Sequence, residues 1–433
     1  MSRPKIVIVG SGFAGLEALN VLGGEDVDVL LVDRNNYHLF QPLLYQVAIG
    51  GLEPEEVGQP VRSMVRRYDN VRFRMVEVTG VDLDAHHIRT GDGSISYDYL
   101  ILATGSQPNF FGLDSVMQVA YSLGGLHDAI SLRNHLLTCL EQAVKEISEQ
   151  QRRAMLTFTI VGGGPTGVEL AGALAEMKQH ALPRDYPDIH PDEMRIILIE
   201  MLETVLPPFD ESLQTYSLET LSVMGVEILL NRTVENADCD FVYLKGGDTI
   251  PTRTVIWTAG VHSALSEALP LEPERGGRIP VNETLQLPRH PNVYVSGDIA
   301  YLIDPDGEPY PRLASVAMQQ GERAARNILR SIAGEAQKPF KYHNKGTLAT
   351  IGRSAAAAQV YGRKITGFIA WFIWLVVHIN YLVGFRNRLQ VLINWAFNYL
   401  KYDPAVRLIV GVRKECESEN ETLHPIHAQD AGE

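Results

Sequence analysis

Residues 6–18, IVIVGSGFAGLEA, and residues 160–172, IVGGGPTGVELAG, spell one device twice. Each is an unbroken apolar run, a glycine turn and the start of a helix, the pattern of a buried parallel strand feeding a crossover helix. A second strand follows each and ends on an acid: VDVLLVDRN carries Asp33, MRIILIEML carries Glu200. Two such units restrict the chain to an α/β class with two three-layer, Rossmann-like domains. Its 433 residues leave room for a third region.

The glycines Gly10, Gly12 and Gly15, and again Gly162, Gly164 and Gly167, have G-x-G-x-x-G spacing. The first permits the tight turn, the second lets backbone approach a pyrophosphate, and the third lets helix and strand pack closely. The phosphates then meet free N–H groups at a helix N-terminus. Asp33, followed by Arg34, is placed for ribose hydroxyls. Glu200, with Glu203 nearby, accepts a 2′-hydroxyl and repels a 2′-phosphate, which favours NADH over NADPH.

Both units are followed by a related strand and small-residue turn: YDYLILATGS (97–106, with Thr104 and Gly105) and RTVIWTAGV (253–261, with Gly260). After the second copy, PNVYVSGDIA (291–300) starts another buried strand that stops at Gly297 and Asp298. Asp298 has two readings, a flavin ribityl or pyrophosphate partner and a cap of the next helix. Glu169, in the first turn of the second fingerprint helix, also has two, a carboxylate stabilised by the helix dipole and a proton-handling group beside a nicotinamide. The expected organisation inserts the second unit into the first: 1–115 with 280–345 for FAD, 116–279 for NADH, then 346–433.

That last region differs in kind. GFIAWFIWLVVHINYLVGF (367–385) is nearly all apolar, and RNRLQVLINWAFNYLKY (386–402) is amphipathic at helical spacing. Arg363 to Lys414 holds eight basic residues and one acid, Asp403, in a chain of net charge −14. At about 1.5 Å per residue the apolar segment would only just cross a core of roughly 30 Å. His378 and Asn380 disfavour that burial, and basic residues on both flanks give no spanning asymmetry. The expected arrangement is a monotopic helix pair in the interface, with residues 365–414 against anionic headgroups and a polar tail from Glu415. A homodimer interface is the alternative use of the apolar surface.

The acidic balance excludes nucleic acid as a general partner. Cys139, Cys239 and Cys416 form no C-x-x-C or ligand cluster, so no metal, iron–sulfur centre or disulfide framework is expected, and redox chemistry must run on an organic cofactor. With MSRPK leading directly into the first strand, no leader is expected and the body should lie in the cytoplasm. His86, His87 and His262 suggest no role.

One fingerprint, a later G-D segment and a second fingerprint between them resemble the two-dinucleotide flavoproteins. Over nearly its whole length the chain resembles the type II NADH:quinone oxidoreductases, through VIVGSGFAGLEA, YHLFQPLLYQVA (37–48), YDYLILATGS, IVGGGPTGVELAGALAE, VYVSGDIA, ASVAMQQG (314–321) and KGTLATIGR (345–353). The resemblance implies a single-subunit, non-pumping enzyme with FAD, held on the cytoplasmic face of the cell membrane. It implies Ala317, Gln319 and Gln320 along the quinone approach, with Gln319, Gln320 and Glu169 as the catalytic set and Glu169 at the nicotinamide–flavin contact. Lys345 has two readings, the quinone end of the approach and a salt-bridging surface lysine. Ser315 stands where many members carry glutamine. A soluble NADH:ferredoxin-type reductase and an NADH-sensing flavoprotein that binds a partner remain the alternatives.

Overall fold

The computed structural model describes residues 3–265, 269, 271–401 and 407–410. The polar tail from Glu415, Asp403, Arg413 and Lys414 therefore lie outside the described residues. Strand β1 (Lys5–Val9) leads into helix α1 (Phe13–Leu22), then β2 (Asp28–Asp33), β3 (Val71–Met75) and β4 (Tyr99–Leu102). The inner unit holds β5 (Tyr121–Ser122), α2 (Leu126–Lys145), β6 (Thr157–Val161), α3 (Pro165–Glu176), β7 (Arg195–Ile199), β8 (Val226–Leu229) and β9 (Thr254–Trp257). The chain then returns through β10 (Gln286–Leu287), β11 (His290–Val295) and α4 (Ala314–Ile332).

The first sheet runs β10-β11-β4-β1-β2-β3, all parallel except the β10 edge, and so combines strands from before and after the inner unit. The second sheet, β5-β9-β6-β7-β8, is wholly parallel. Both β1 and β6 are central in their sheets, which explains their continuous apolar runs: Ile6, Val7, Ile8, Phe158 and Ile160 are fully buried. Each sheet places its fingerprint at the carboxyl ends of the strands, where an open α/β sheet binds ligands.

After α4, β12 (Thr347–Gly352), β13 (Ala355–Val360) and β14 (Arg363–Thr366) form an antiparallel sheet, followed by α5 (Gly367–Tyr381) and α6 (Phe385–Lys401). Two bare glycines set how helices meet their neighbours. A Cβ on Gly321 would stand 2.0 Å from the Ala14 carbonyl oxygen, so α4 lies directly on the α1 backbone. A Cβ on Gly172 would stand 1.6 Å from the Ile351 carbonyl oxygen, so β12 lies directly on α3. Trp374 and Val391 are thereby drawn into one buried cluster with Val168, Leu170 and Ile351.

Candidate functional site

The two fingerprints repeat one hydrogen-bond scheme. Asp33 Oδ2 accepts from the Ser11 N–H at 2.6 Å, and Glu200 Oε2 accepts from the Gly163 N–H at 2.6 Å. The other oxygens accept from Asn35 N at 2.7 Å and Leu202 N at 2.9 Å. Each acid thus holds the glycine turn, and its oxygens keep further lone pairs for a ribose. Arg34 is exposed beside Asp33.

These turns fit dinucleotides. A Cβ on Gly15 would meet the Gly10 carbonyl oxygen at 1.8 Å, and one on Gly167 would meet that of Gly162 at 1.9 Å. Gly12 and Gly164 face open space instead, where a pyrophosphate must approach. In the first unit, Ser106 Oγ donates to Asp298 Oδ2 at 2.6 Å, bringing the Thr104–Gly105 turn to the Gly297–Asp298 turn. The hydroxyls of Thr104 and Ser296 are buried there without protein partners, as a polar ligand requires. Gly260, in the second unit, lies under Phe111, whose ring would stand 2.9 Å from a Cβ.

Gln320 is fully buried, and its Oε1 accepts from the Gly297 N–H at 2.8 Å. Ala317 packs on the same turn. Gln319 clips residue 343 through two bonds, Nε2 to the His343 carbonyl at 3.2 Å and Oε1 from its N–H at 2.9 Å. Exposed Lys345 donates to Tyr381 Oη at 3.2 Å, and Ser315 meets Tyr342 hydroxyl to hydroxyl at 2.8 Å. These residues form a strip from the Gly297 turn to the end of α5.

Glu169 shares none of these hydrogen bonds. It is buried on α3, and its Oε1 accepts from the Thr350 N–H at 3.3 Å. Burial pushes its carboxyl up to about 8, with Thr350 and the Trp374 indole opposing only in part. It lines a cavity of about 170 Å³ with Tyr45, Gln46, Ile49, Trp371, Trp374 and Trp395 among its walls. Ala317, Gln319, Gln320 and Lys345 are not among that cavity's lining residues. Trp374 stacks on His378, whose Nδ1 donates to the Trp374 carbonyl and whose imidazole is held down at about 4 by burial.

The sequence suggests no role for Tyr45, Gln46 or Thr350 and puts the aromatic residues of the C-terminal helix pair in the lipid. Trp374 is instead buried, and Trp371 and Trp395 line this cavity with it. YHLFQPLLYQVA and KGTLATIGR were the available signals, but only the packing of α5 and α6 brings them to Glu169.

Residues 4–321 match the pyridine nucleotide-disulphide oxidoreductase family, and residues 344–401 match the NDH2 C-terminal domain. A type II NADH:quinone oxidoreductase of Mycobacterium tuberculosis is 36% identical over 414 residues, covering 92% of this chain and 88% of its own. The chain belongs to the type II NADH:quinone oxidoreductases. FAD is its cofactor and NADH its reductant. An internal alternative NAD(P)H-ubiquinone oxidoreductase of Arabidopsis thaliana mitochondria is 30% identical, covering 92% and 84%. The fold also matches Plasmodium falciparum NDH2 in complex with NADH, at TM-score 0.85 and 21% identity, covering 94% and 100%.

Proposed function

We propose that NADH binds the inner unit through Gly162, Gly164, Gly167, Glu200 and Gly260. FAD binds the outer unit through Gly10, Gly12, Gly15, Asp33, Arg34, Thr104, Gly105, Gly297 and Asp298. The corresponding spans are 116–279, and 1–115 with 280–345. Bound FAD supplies the two-electron carrier between NADH and a membrane quinone. The observation that carries the reading is the buried carboxyl of Glu169 in a cavity walled by the aromatic sides of α5 and α6. A quinone ring entering between those helices meets tryptophan faces and then an acid that is protonated at neutral pH. Such a group can give a proton to a reduced quinone oxygen.

The other residues act through position. Gln320 fixes the Gly297 turn, Ala317 packs against it, Gln319 fixes residue 343, and Lys345 ties that loop to Tyr381. Glu200, already accepting two N–H groups, keeps lone pairs for a 2′-hydroxyl but offers no donor to a 2′-phosphate and repels its charge. The exposed apolar residues of α5 and α6 lie in the interface of the cytoplasmic leaflet, and the enzyme pumps no protons.

Steady-state oxidation of NADH and of NADPH by membrane-bound protein, with and without a short-chain quinone, tests this. Turnover that requires quinone and prefers NADH by at least roughly tenfold is expected, the scale of one charge–charge discrimination. Flavin reduction without quinone-dependent turnover would overturn the acceptor assignment while leaving both nucleotide sites standing.

A further inference from the structure

Reducing a quinone to a quinol takes two electrons and two protons. NADH supplies both electrons and one proton as a hydride equivalent, becoming NAD⁺, so the second proton must come from water. Glu169 is buried, and something must reprotonate it after each turnover.

The cavity beside Glu169 continues along one face of α3. Glu169, Ala173, Glu176, Met177, His180 and Ala181 all line it, the spacing of a single helical stripe. At Met177–Ala181 the helix passes into a π-turn, an irregularity often found at functional sites. Glu176 is two turns beyond Glu169, about 10 Å along the axis, too far for direct contact. The cavity, about 170 Å³, has room for several waters at about 30 Å³ each. His180, at the far end of the stripe, is only partly buried.

We propose that His180, Glu176 and intervening water form the route by which a solvent proton reaches Glu169. This rests on the reading that quinone is reduced beside Glu169. Glu169 gives its proton to the quinone oxygen, takes one from Glu176, and Glu176 is recharged through His180 from solvent. One proton is consumed per quinol.

The surroundings suit the task. Glu176 accepts from the Arg353 N–H, and its carboxyl is raised by burial, with Arg353 opposing. The groups facing it are Glu169 on α3, His180 in the π-turn that follows, Arg353 after β12 and the Tyr45 phenol; α5 and α6 contribute only Trp371, Trp374, Leu375 and Trp395 to the cavity. Desolvation, then Arg353, holds the His180 imidazole below its ordinary value.

Stopped-flow reoxidation of NADH-reduced holoenzyme by a short-chain quinone, in H₂O and D₂O, is the test. Glu176→Gln keeps an oxygen for the Arg353 N–H. It should slow reoxidation about tenfold or more and raise the solvent isotope effect, the range for losing a positioned proton carrier. His180→Ala should slow it likewise, with imidazole restoring the rate. Reoxidation of both variants at wild-type rates with the wild-type isotope effect would overturn the route. Wild-type enzyme that quinone does not reoxidise would instead sink the parent reading.

Discussion

Glu169 is one carboxyl on a helix that otherwise buries Val168, Leu170, Ala171 and Leu174. Its first cause of perturbation is desolvation, with the Thr350 N–H and Trp374 indole opposing. The sign follows from the direction: a carboxyl raised to about 8 is protonated and uncharged below that pH. In the proposed role it would donate there and lose the ability as pH rises through 8. The rate of quinone-driven reoxidation should therefore fall above pH 8 in the wild type. Glu169→Gln should be slow throughout and show no break, with a loss of about 100-fold at pH 7, the scale of a general acid. The folded protein also favours the protonated form more than the unfolded chain does. This favourable contribution is fully present below the ordinary value of 4.5 and is lost as pH rises toward 8, so the Gln variant should melt higher than wild type at pH 9. A thermal melt at pH 6 and pH 9 checks that part.

At the scale of elements, the site depends on how closely β12 approaches α3. Gly172 allows Ile351 against the helix backbone, and the Thr350 N–H reaches Glu169 as a result. Gly172→Ala inserts a methyl where 1.6 Å separates its position from a carbonyl oxygen, so the sheet must shift outward. A cost of about 2–3 kcal/mol is expected from such overpacking. NADH-driven flavin reduction should persist while the quinone half-reaction falls, measured by a melt and by stopped flow. The same dependence explains what was legible beforehand. The glycine turns, Asp33 and Glu200 are readable because strand, turn, helix and acid are close in the chain. Glu169 could be placed on its helix by counting, but its burial could not, because Thr350 and Trp374 come from a sheet and a helix far along the chain. The family resemblance of ASVAMQQG implies a place for Gln320 along the quinone approach. Its hydrogen bond to Gly297 depends on α4 lying against α1, which only Gly321 meeting Ala14 makes possible.

Across the whole molecule, apolar surface is concentrated on one pair of elements. Phe368, Ile369, Phe372 and Val376 are exposed on α5, and Leu389, Leu392, Ile393 and Phe397 on α6. The opposite sides of both helices are occupied: Trp374 and Val391 are buried, and Trp395 Nε1 donates to Gln46 Oε1 at 2.8 Å. Among the described residues no helix is long and apolar enough to cross a membrane. A pair with one side on the protein and the other exposed fits a bilayer interface, with exposed Arg386 at the start of α6. Each fully inserted aromatic or branched side chain contributes about 1.5–3 kcal/mol. Two charges should therefore suffice to release the enzyme. Phe372→Asp with Ile393→Asp should abolish cosedimentation with vesicles containing anionic lipid. The soluble variant should still reduce a short-chain quinone, because the cavity at Glu169 is lined from the other side of the helices. It should lose most turnover with a long-chain quinone held in vesicles, since that substrate arrives only through the lipid. Retained vesicle binding in the double variant would place the anchor elsewhere, and lost activity with both quinones would mean the exposed faces also support the cavity.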